Sequence, residues 1–301
     1  MASSERRAAV LGKPVAHSLS PVIHNAGYAA AGLAGWSYTA IECAESELAD
    51  LVAGLDPEWA GLSLTMPLKE AALAVATVAS PAALAAGAAN TLVRGAQGDW
   101  HADNTDITGM VRVLAEAGVA PGGRFTVLGA GGTARAALAA AGGLKAGEVT
   151  VVARRPDAID ALRPVADAVG VPLTGAGWAE APALLRADVV IATVPRGVAD
   201  PLAPGATWGQ ATVFFDALYD PWPTPLAASA IAAGCRVASG LDLLLAQAIG
   251  QFEAFTGHAA PEGAMAAALT AARGEGGLLV LGGGGSAGGT GPPGAGGAVG
   301  A

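Results

Sequence analysis

The chain has 301 residues and a formal net charge of −9, with 16 Lys and Arg against 25 Asp and Glu. This length supports two domains, because single cores stop growing at about 250 to 300 residues, and the acidic balance argues against a nucleic-acid-binding protein. Mean hydropathy is high at +0.47, yet the long uncharged stretch 71–93 is Ala-rich and broken by Ser80-Pro81, Gly87 and Asn90, so no membrane span is expected.

The apolar run at 8–12 is too short for a signal-peptide core and meets Lys13-Pro14 at once, which favours the cytoplasm. Residues 8–11 read as a strand, followed by the polar loop His17-Ser18-Leu19-Ser20-Pro21. A helix comes next, with Ser20 as N-cap, Pro21 at its first position and Gly32 past its end. Strands are expected at 36–41, 61–64, 90–94 and 99–102, the last two joined by a glycine turn, and helices at 45–51 and 67–75. The spacing Ile107, Met110, Val111, Leu114, Ala117 marks one helix face, with Asp106 as cap and Gly118 beyond; this helix is expected to link the domains.

Strand and helix patterns then alternate: strand 125–128, a helix from Thr133, strand 149–152, helix 158–169, a short strand near Val171, and strands 188–193, 212–216 and 235–238. Such alternation predicts a parallel sheet with helices on both faces, and the chain as a whole an α/β fold. Helices at 241–256 and 261–273 should pack back on the first domain. Apart from Leu278-Leu279-Val280-Leu281, residues 274–301 are almost all Gly, Ala, Ser, Thr and Pro, too poor in apolar area to offset chain entropy, which predicts a disordered tail. Cys43 and Cys235 have no partner at metal-ligand spacing and read as buried free thiols. His17, His24, His101 and His258 form no metalloprotease-type pair, so no metal is assigned.

Gly129-Ala130-Gly131-Gly132-Thr133-Ala134 follows a strand and opens a helix, as in the G-x-G-x-x-G/A fingerprint that lets backbone approach a pyrophosphate at a helix N-terminus. A plain glycine turn is the competing explanation in a chain with 44 Gly, and the strand–helix context favours the nucleotide loop. The second strand ends in Ala153-Arg154-Arg155-Pro156, not in the acidic residue that grips a ribose 2′-hydroxyl. Arginine there suits a 2′-phosphate and favours NADP over NAD, against the alternative of two solvated arginines near Asp157.

Four polar clusters precede that loop, and each has an ordinary structural explanation. Ser18 and Ser20 are either loop and cap hydroxyls or, beside a helix N-terminus, a carboxylate site. Lys69, placed by the expected 67–75 helix in a first turn where the macrodipole disfavours a cation, is either a snorkelling surface lysine or a proton-transfer amine. Asp106 serves as an N-cap or as a loop carboxylate carrying chemistry, and Asn90 as a turn residue or a ligand group.

Taken in order, these segments resemble the shikimate dehydrogenases: Gly12-Lys13-Pro14-Val15-Ala16-His17-Ser18-Leu19-Ser20-Pro21 with His24-Asn25, then Thr65-x-Pro67-x-Lys69, Gly87-x-x-Asn90-Thr91, Asn104-Thr105-Asp106 and the glycine loop. The pattern continues through Asp216-x-x-Tyr219-x-Pro221-x-x-Thr224-Pro225-Leu226, Gly240-Leu241-x-x-Leu244-x-x-Gln247-Ala248 and Phe255-Thr256-Gly257. The resemblance spans residues 8–273. It implies a discontinuous substrate domain, 1–105 plus 239–273, and a central Rossmann-like NADP domain, 106–238. It implies reversible NADPH-dependent reduction of 3-dehydroshikimate to shikimate, a step toward chorismate and the aromatic amino acids. Lys69 and Asp106 would be the catalytic pair, with Ser18, Ser20, Thr65, Asn90, Asp106, Tyr219 and Gln247 around the substrate. Gly129, Ala130, Gly131, Gly132, Thr133, Ala134, Arg154, Arg155, Thr193 and Gly240 would serve the cofactor. A monomer or homodimer with small-molecule ligands, and no nucleic-acid or membrane partner, is expected.

Ser63 stands where many members of that family have Asn, Leu243 replaces a methionine common near the nicotinamide, and Arg155 replaces a Thr or Ser. The nearest rival is an NAD-dependent quinate/shikimate dehydrogenase. A catalytically silent NADP-binding regulator fits poorly with an intact Lys69 and Asp106. A folate-type dehydrogenase sharing the glycine loop leaves Ser18, Ser20 and Asn104-Thr105-Asp106 unexplained.

Overall fold

Two six-stranded sheets organise residues 5–273, the part of the chain that the computed structural model describes; the expected disordered tail at 274–301 lies outside these residues. The first sheet is built from β1 (Arg6–Gly12), α1 (Ser20–Ala30), β2 (Trp36–Glu42), α2 (Leu48–Ala53), β3 (Trp59–Leu64), α3 (Ala72–Val75), β4 (Val78–Ala79), α4 (Pro81–Ala86), β5 (Thr91–Arg94) and β6 (Trp100–Asp103). Its strand order is β2-β1-β3-β5-β6-β4. β1, β2 and β3 are parallel, and β5 runs antiparallel to β3 and β6. All six residues of β3 are buried, as expected for a central strand covered on both faces.

α5 (Thr105–Glu116) leads to the second sheet, which contains β7 (Arg124–Leu128), α6 (Gly132–Gly143), β8 (Glu148–Ala153), α7 (Pro156–Asp160), α8 (Arg163–Val169), β9 (Leu173–Gly177), α9 (Ala181–Leu184), β10 (Val189–Ala192), β11 (Val213–Asp216), α10 (Pro225–Ala232) and β12 (Arg236–Ser239). All its pairings are parallel, in the order β12-β11-β10-β7-β8-β9. The chain closes with α11 (Gly240–Thr256) and α12 (Glu262–Arg273).

α5 presents Met110, Val113 and Leu114 to the core of the second sheet. α11 crosses α5 closely, because a Cβ on Gly109 would stand 3.0 Å from the Gln247 nitrogen. α11 and α12 also return to the first sheet, where Phe252, Met265 and Leu269 share a core with Val10, Ile23 and Tyr28.

Several local expectations are corrected. The 67–75 segment is not one helix: the Lys69 carbonyl accepts from Ala89 N–H (2.7 Å), and helix begins only at Ala72. Lys69 therefore sits in a turn tied to the next loop, and the macrodipole argument does not apply to it. Ser20 is the first helical residue and not the N-cap, which is Leu19. Asp106 likewise lies inside the first turn of α5, whose N-cap is Asn104. The expected 158–169 helix splits at 161–162 into α7 and α8, because Pro164, in the first turn of α8, has no N–H to offer the Asp160 carbonyl. Cys235 is half-buried, since it follows the Gly234 turn into the edge strand β12. Cys43 is buried as expected.

His24 on α1 is fully buried and stacks on Tyr38, with ring centroids 4.1 Å apart and planes 4° from parallel. Burial, partly opposed by the nearby Gln251 amide, lowers its pKa from 6.5 to about 3. The unfolded chain takes up this proton below about pH 6.5, whereas the folded ring refuses it until about pH 3. Stability therefore falls as pH drops through that window. Replacing His24 by Phe keeps a ring against Tyr38 and removes the linkage. The loss of unfolding free energy between pH 7 and pH 5, read from urea curves, is expected to shrink by about 2 kcal/mol; an unchanged pH dependence would contradict the buried neutral state.

Candidate active site

Lys69 and Asp106 meet across the cleft. The Lys69 Nζ donates to Asp106 Oδ2 at 2.7 Å, and the side chains are 28% and 13% exposed. The turn after β3 carries the lysine and is locked in place: Leu68 N–H donates to Thr65 O (2.8 Å), and Lys13 N–H to Met66 O (3.0 Å). Gly12 is required here, because a Cβ on it would collide with the Thr65 side chain. Glycine thus lets the loops after β1 and β3 lie against each other and sets Thr65 at the cavity edge.

A directed chain of buried hydrogen bonds forms the back wall. Tyr38 Oη donates to Ser63 Oγ (2.6 Å), and Ser63 Oγ to Gln251 Oε1 (2.7 Å). Gln251 Nε2 donates to Thr91 Oγ1 (3.0 Å), which donates to Asn90 Oδ1 (2.8 Å). Asn90 Oδ1 also accepts the Thr105 N–H (2.8 Å), one of the orphan donors at the start of α5. With its oxygen occupied this way, Asn90 turns Nδ2 toward Gln247 Oε1, 3.5 Å away on the cavity wall. Asn90 therefore enters the cavity as a donor, and the same amide oxygen anchors the helix that carries Asp106.

Ser18, Ser20, Thr65, Lys69, Asn90, Asp106, Tyr219 and Gln247 all line one cavity of about 370 Å³. Gly240, assigned to the cofactor from sequence, borders the same cavity. Ser18 Oγ accepts from Ser20 N–H at 3.3 Å, and the Ser20 side chain caps no helix N–H. Sequence reading did not assign Ser63 or Gln251 to the site, yet both line this cavity. Gln251 follows Gln247 by four residues on α11, a spacing that places both on one helix face and could have revealed it.

A second cavity, about 730 Å³, is lined by Gly129, Ala130, Gly131, Arg154, Arg155 and Thr193. Gly129 has φ +110°, and a Cβ there would stand 2.6 Å from Thr193 Oγ1. Only glycine fits this turn. A Cβ on Gly131 or Gly132 would meet nothing within 4 Å, so open space faces the first turn of the 12-residue helix α6. That open cradle fits a dinucleotide pyrophosphate. Gly132 and Thr133 begin α6 outside the lining, and Ala134 is fully buried in the core. Both arginines are exposed, and Arg155 Nη1 lies 3.7 Å from Asp157 Oδ2. Trp178 also lines this cavity; β9 brings it there, and its sequence surroundings carry no signal of that.

A lysine–carboxylate pair in a polar cavity, with a strand–glycine loop–helix unit on a neighbouring parallel sheet, defines a nicotinamide-dependent dehydrogenase. Residues 10–92 match the shikimate dehydrogenase substrate binding domain and residues 240–270 the shikimate 5′-dehydrogenase C-terminal domain. The shikimate dehydrogenase (NADP(+)) of Caulobacter vibrioides is 40% identical over 260 residues, 83% of this chain and 89% of that protein. The crystal structure of Mycobacterium tuberculosis shikimate dehydrogenase superposes with a TM-score of 0.80 at 45% identity, covering 88% of this chain and 99% of that one. A Thermus thermophilus shikimate 5-dehydrogenase, solved in complex with NADP(H) and shikimate, gives 0.77 at 32% identity, covering 89% and 99%. The chain belongs to the shikimate dehydrogenase family.

Gln251→Leu removes both an acceptor for Ser63 and a donor to Thr91, leaving buried polar groups without partners. Its urea midpoint is expected to fall with an unchanged denaturant slope, equivalent to about 2 to 4 kcal/mol. A midpoint equal to that of the unsubstituted protein would show that the chain does not hold the wall together.

Proposed function

We propose that this protein catalyses the reversible NADPH-dependent reduction of 3-dehydroshikimate to shikimate, in the route to chorismate and the aromatic amino acids. The observation that carries this reading is the Lys69–Asp106 pair, 2.7 Å apart, in a cavity also lined by Ser18, Ser20, Asn90 and Gln247. That set supplies a proton donor, hydroxyls for a carboxylate and amides for ring hydroxyls, which matches a small polyhydroxy acid.

Reduction of a ketone adds a hydride at carbon and a proton at oxygen. NADPH, when bound, supplies the hydride. Negative charge then grows on the ketone oxygen, where the Lys69 ammonium stabilises it and supplies the proton that completes the alcohol. Asp106 accepts a hydrogen bond from Lys69 and so aims the ammonium. Ser18 and Ser20 hydroxyls donate to the carboxylate near the start of α1, and Asn90 Nδ2 donates to a ring hydroxyl. Thr65, Gln247 and Tyr219 complete the wall, which fixes the ring for transfer.

The backbone of Gly129–Gly132 would hold the pyrophosphate, with Thr133 and Ala134 continuing α6 behind it, and Thr193 and Gly240 would border the nicotinamide side. Arg154 would meet the 2′-phosphate; Arg155, drawn toward Asp157, would contribute less. In this reading residues 1–105 plus 239–273 form the substrate domain and 106–238 the cofactor domain. Among the described residues no helix is long and apolar enough to cross a membrane. We place the enzyme in the cytoplasm, as a monomer or homodimer.

The test is kcat/KM for shikimate and for quinate, each with NADP+ and with NAD+. Shikimate with NADP+ is expected to give the highest value of the four. A higher value for quinate with NAD+ would replace this reading by a catabolic one.

A further inference from the structure

Tyr219 reaches the cavity from the loop between β11 and α10. The base of that loop is fixed. Buried Asp216 accepts from Leu218 N–H (3.0 Å) and from Thr224 Oγ1 (2.7 Å), and Thr224 in turn caps α10 by accepting from Ala227 N–H (3.1 Å). Gly240 supports the loop from beneath, since a Cβ there would overlap the Ala217 carbonyl and stand 2.9 Å from Tyr219 Cδ1.

The outer side of Tyr219 is different. There a further cavity of about 530 Å³, lined by His17, Leu19, Leu218, Tyr219, Asp220 and Arg273, leaves room for the loop to shift. Arg273, at the end of α12, reaches across to grip it. The guanidinium donates to the Tyr219 carbonyl at 2.7 Å, lies 5.5 Å from the centroid of the Tyr219 ring, and stands 3.6 Å from the Asp220 carboxylate. One planar fork thus engages the backbone, the ring and the next side chain, a geometry that lysine cannot reproduce.

The opposite end of this connection is firm. α12 packs on α1, with Met265 and Leu269 in one cluster with Ile23 and Tyr28, and a Cβ on Gly27 of α1 would come 3.1 Å from Met265 Cγ. The first residue of α1 is Ser20. Arg273 therefore ties Tyr219, from the second sheet, to the body that carries the serine hydroxyls.

We infer that Arg273 is a positioning residue that sets Tyr219 against the substrate, an inference that rests on the shikimate dehydrogenase reading of the same cavity. The test compares Arg273→Met and Arg273→Lys in the wild-type and Tyr219→Ala backgrounds. Arg273→Met keeps the aliphatic stem and loses the charge and the donors; it is expected to raise KM for shikimate about ten-fold while KM for NADP+ and Tm stay near their wild-type values. Arg273→Lys should recover part of the loss, and in the Tyr219→Ala background Arg273→Met should add little. Hydrogen exchange of residues 217–224 should accelerate in Arg273→Met, with α1 unchanged. An unaltered KM, a full additional loss on top of Tyr219→Ala, or unaltered exchange would each overturn the inference. The exchange measurement reads no activity, so it decides the role of Arg273 even if the wild-type chain fails to turn over shikimate, an outcome that overturns the functional reading instead.

Discussion

An ammonium and a carboxylate stand 2.7 Å apart, brought from two different stretches of chain, and the local architecture around them is what holds them there. Lys69 comes from the turn after β3 and Asp106 from the first turn of α5. Neither position is set by the pair itself, because a partly exposed ion pair gains too little to organise backbone. The turn is held by the bond from Ala89 to the Lys69 carbonyl, and the helix start by the Asn90 amide oxygen. Residues 88–90 thus reach both partners, through the chain's own backbone on one side and a side-chain cap on the other.

Behind this sits the hydrogen-bond chain from Tyr38 through Ser63, Gln251 and Thr91 to Asn90. Burying so many polar groups is tolerable because each donor finds an acceptor. The arrangement also has a polarity: every link donates toward Asn90, which leaves that amide one orientation and fixes it as a donor to the cavity. The bonds that hold the wall together therefore also set which polar atom Asn90 presents to the cavity. Gln251, from the C-terminal part of the chain, completes a hydrogen-bond chain whose other members, Tyr38, Ser63, Thr91 and Asn90, come from the first hundred residues, so α11 is part of the cavity wall and does more than cover it.

Much of this was legible in the sequence. Buried strands such as β3 and the hydrophobic runs at β7 and β10 announced the sheets, and the glycine loop announced the helix that follows it. Ser18, Ser20, Thr65, Lys69, Asn90, Asp106 and Gln247 were readable as a set because their types and order matched one family, and all line one cavity. What failed was local. Pro67 followed by an apolar run suggested a helix, but the Lys69 carbonyl is used by Ala89, a tertiary bond that no local pattern reveals. Ser20 and Asp106 looked like caps by residue type; each lies one residue or more further into its helix, with its side chain left for the cavity or for Lys69. Arg273 could not have been singled out, since its partners are more than fifty residues away in the chain.

The Lys69–Asp106 pair should act as a single unit, one group aiming and the other donating. A double-mutant cycle with Lys69→Met and Asp106→Asn, read in kcat for shikimate oxidation with NADP+, measures this directly. The double variant is expected to lose about as much activity as the more damaging single substitution. Losses that multiply, as for two independent groups, would contradict a shared role for the pair.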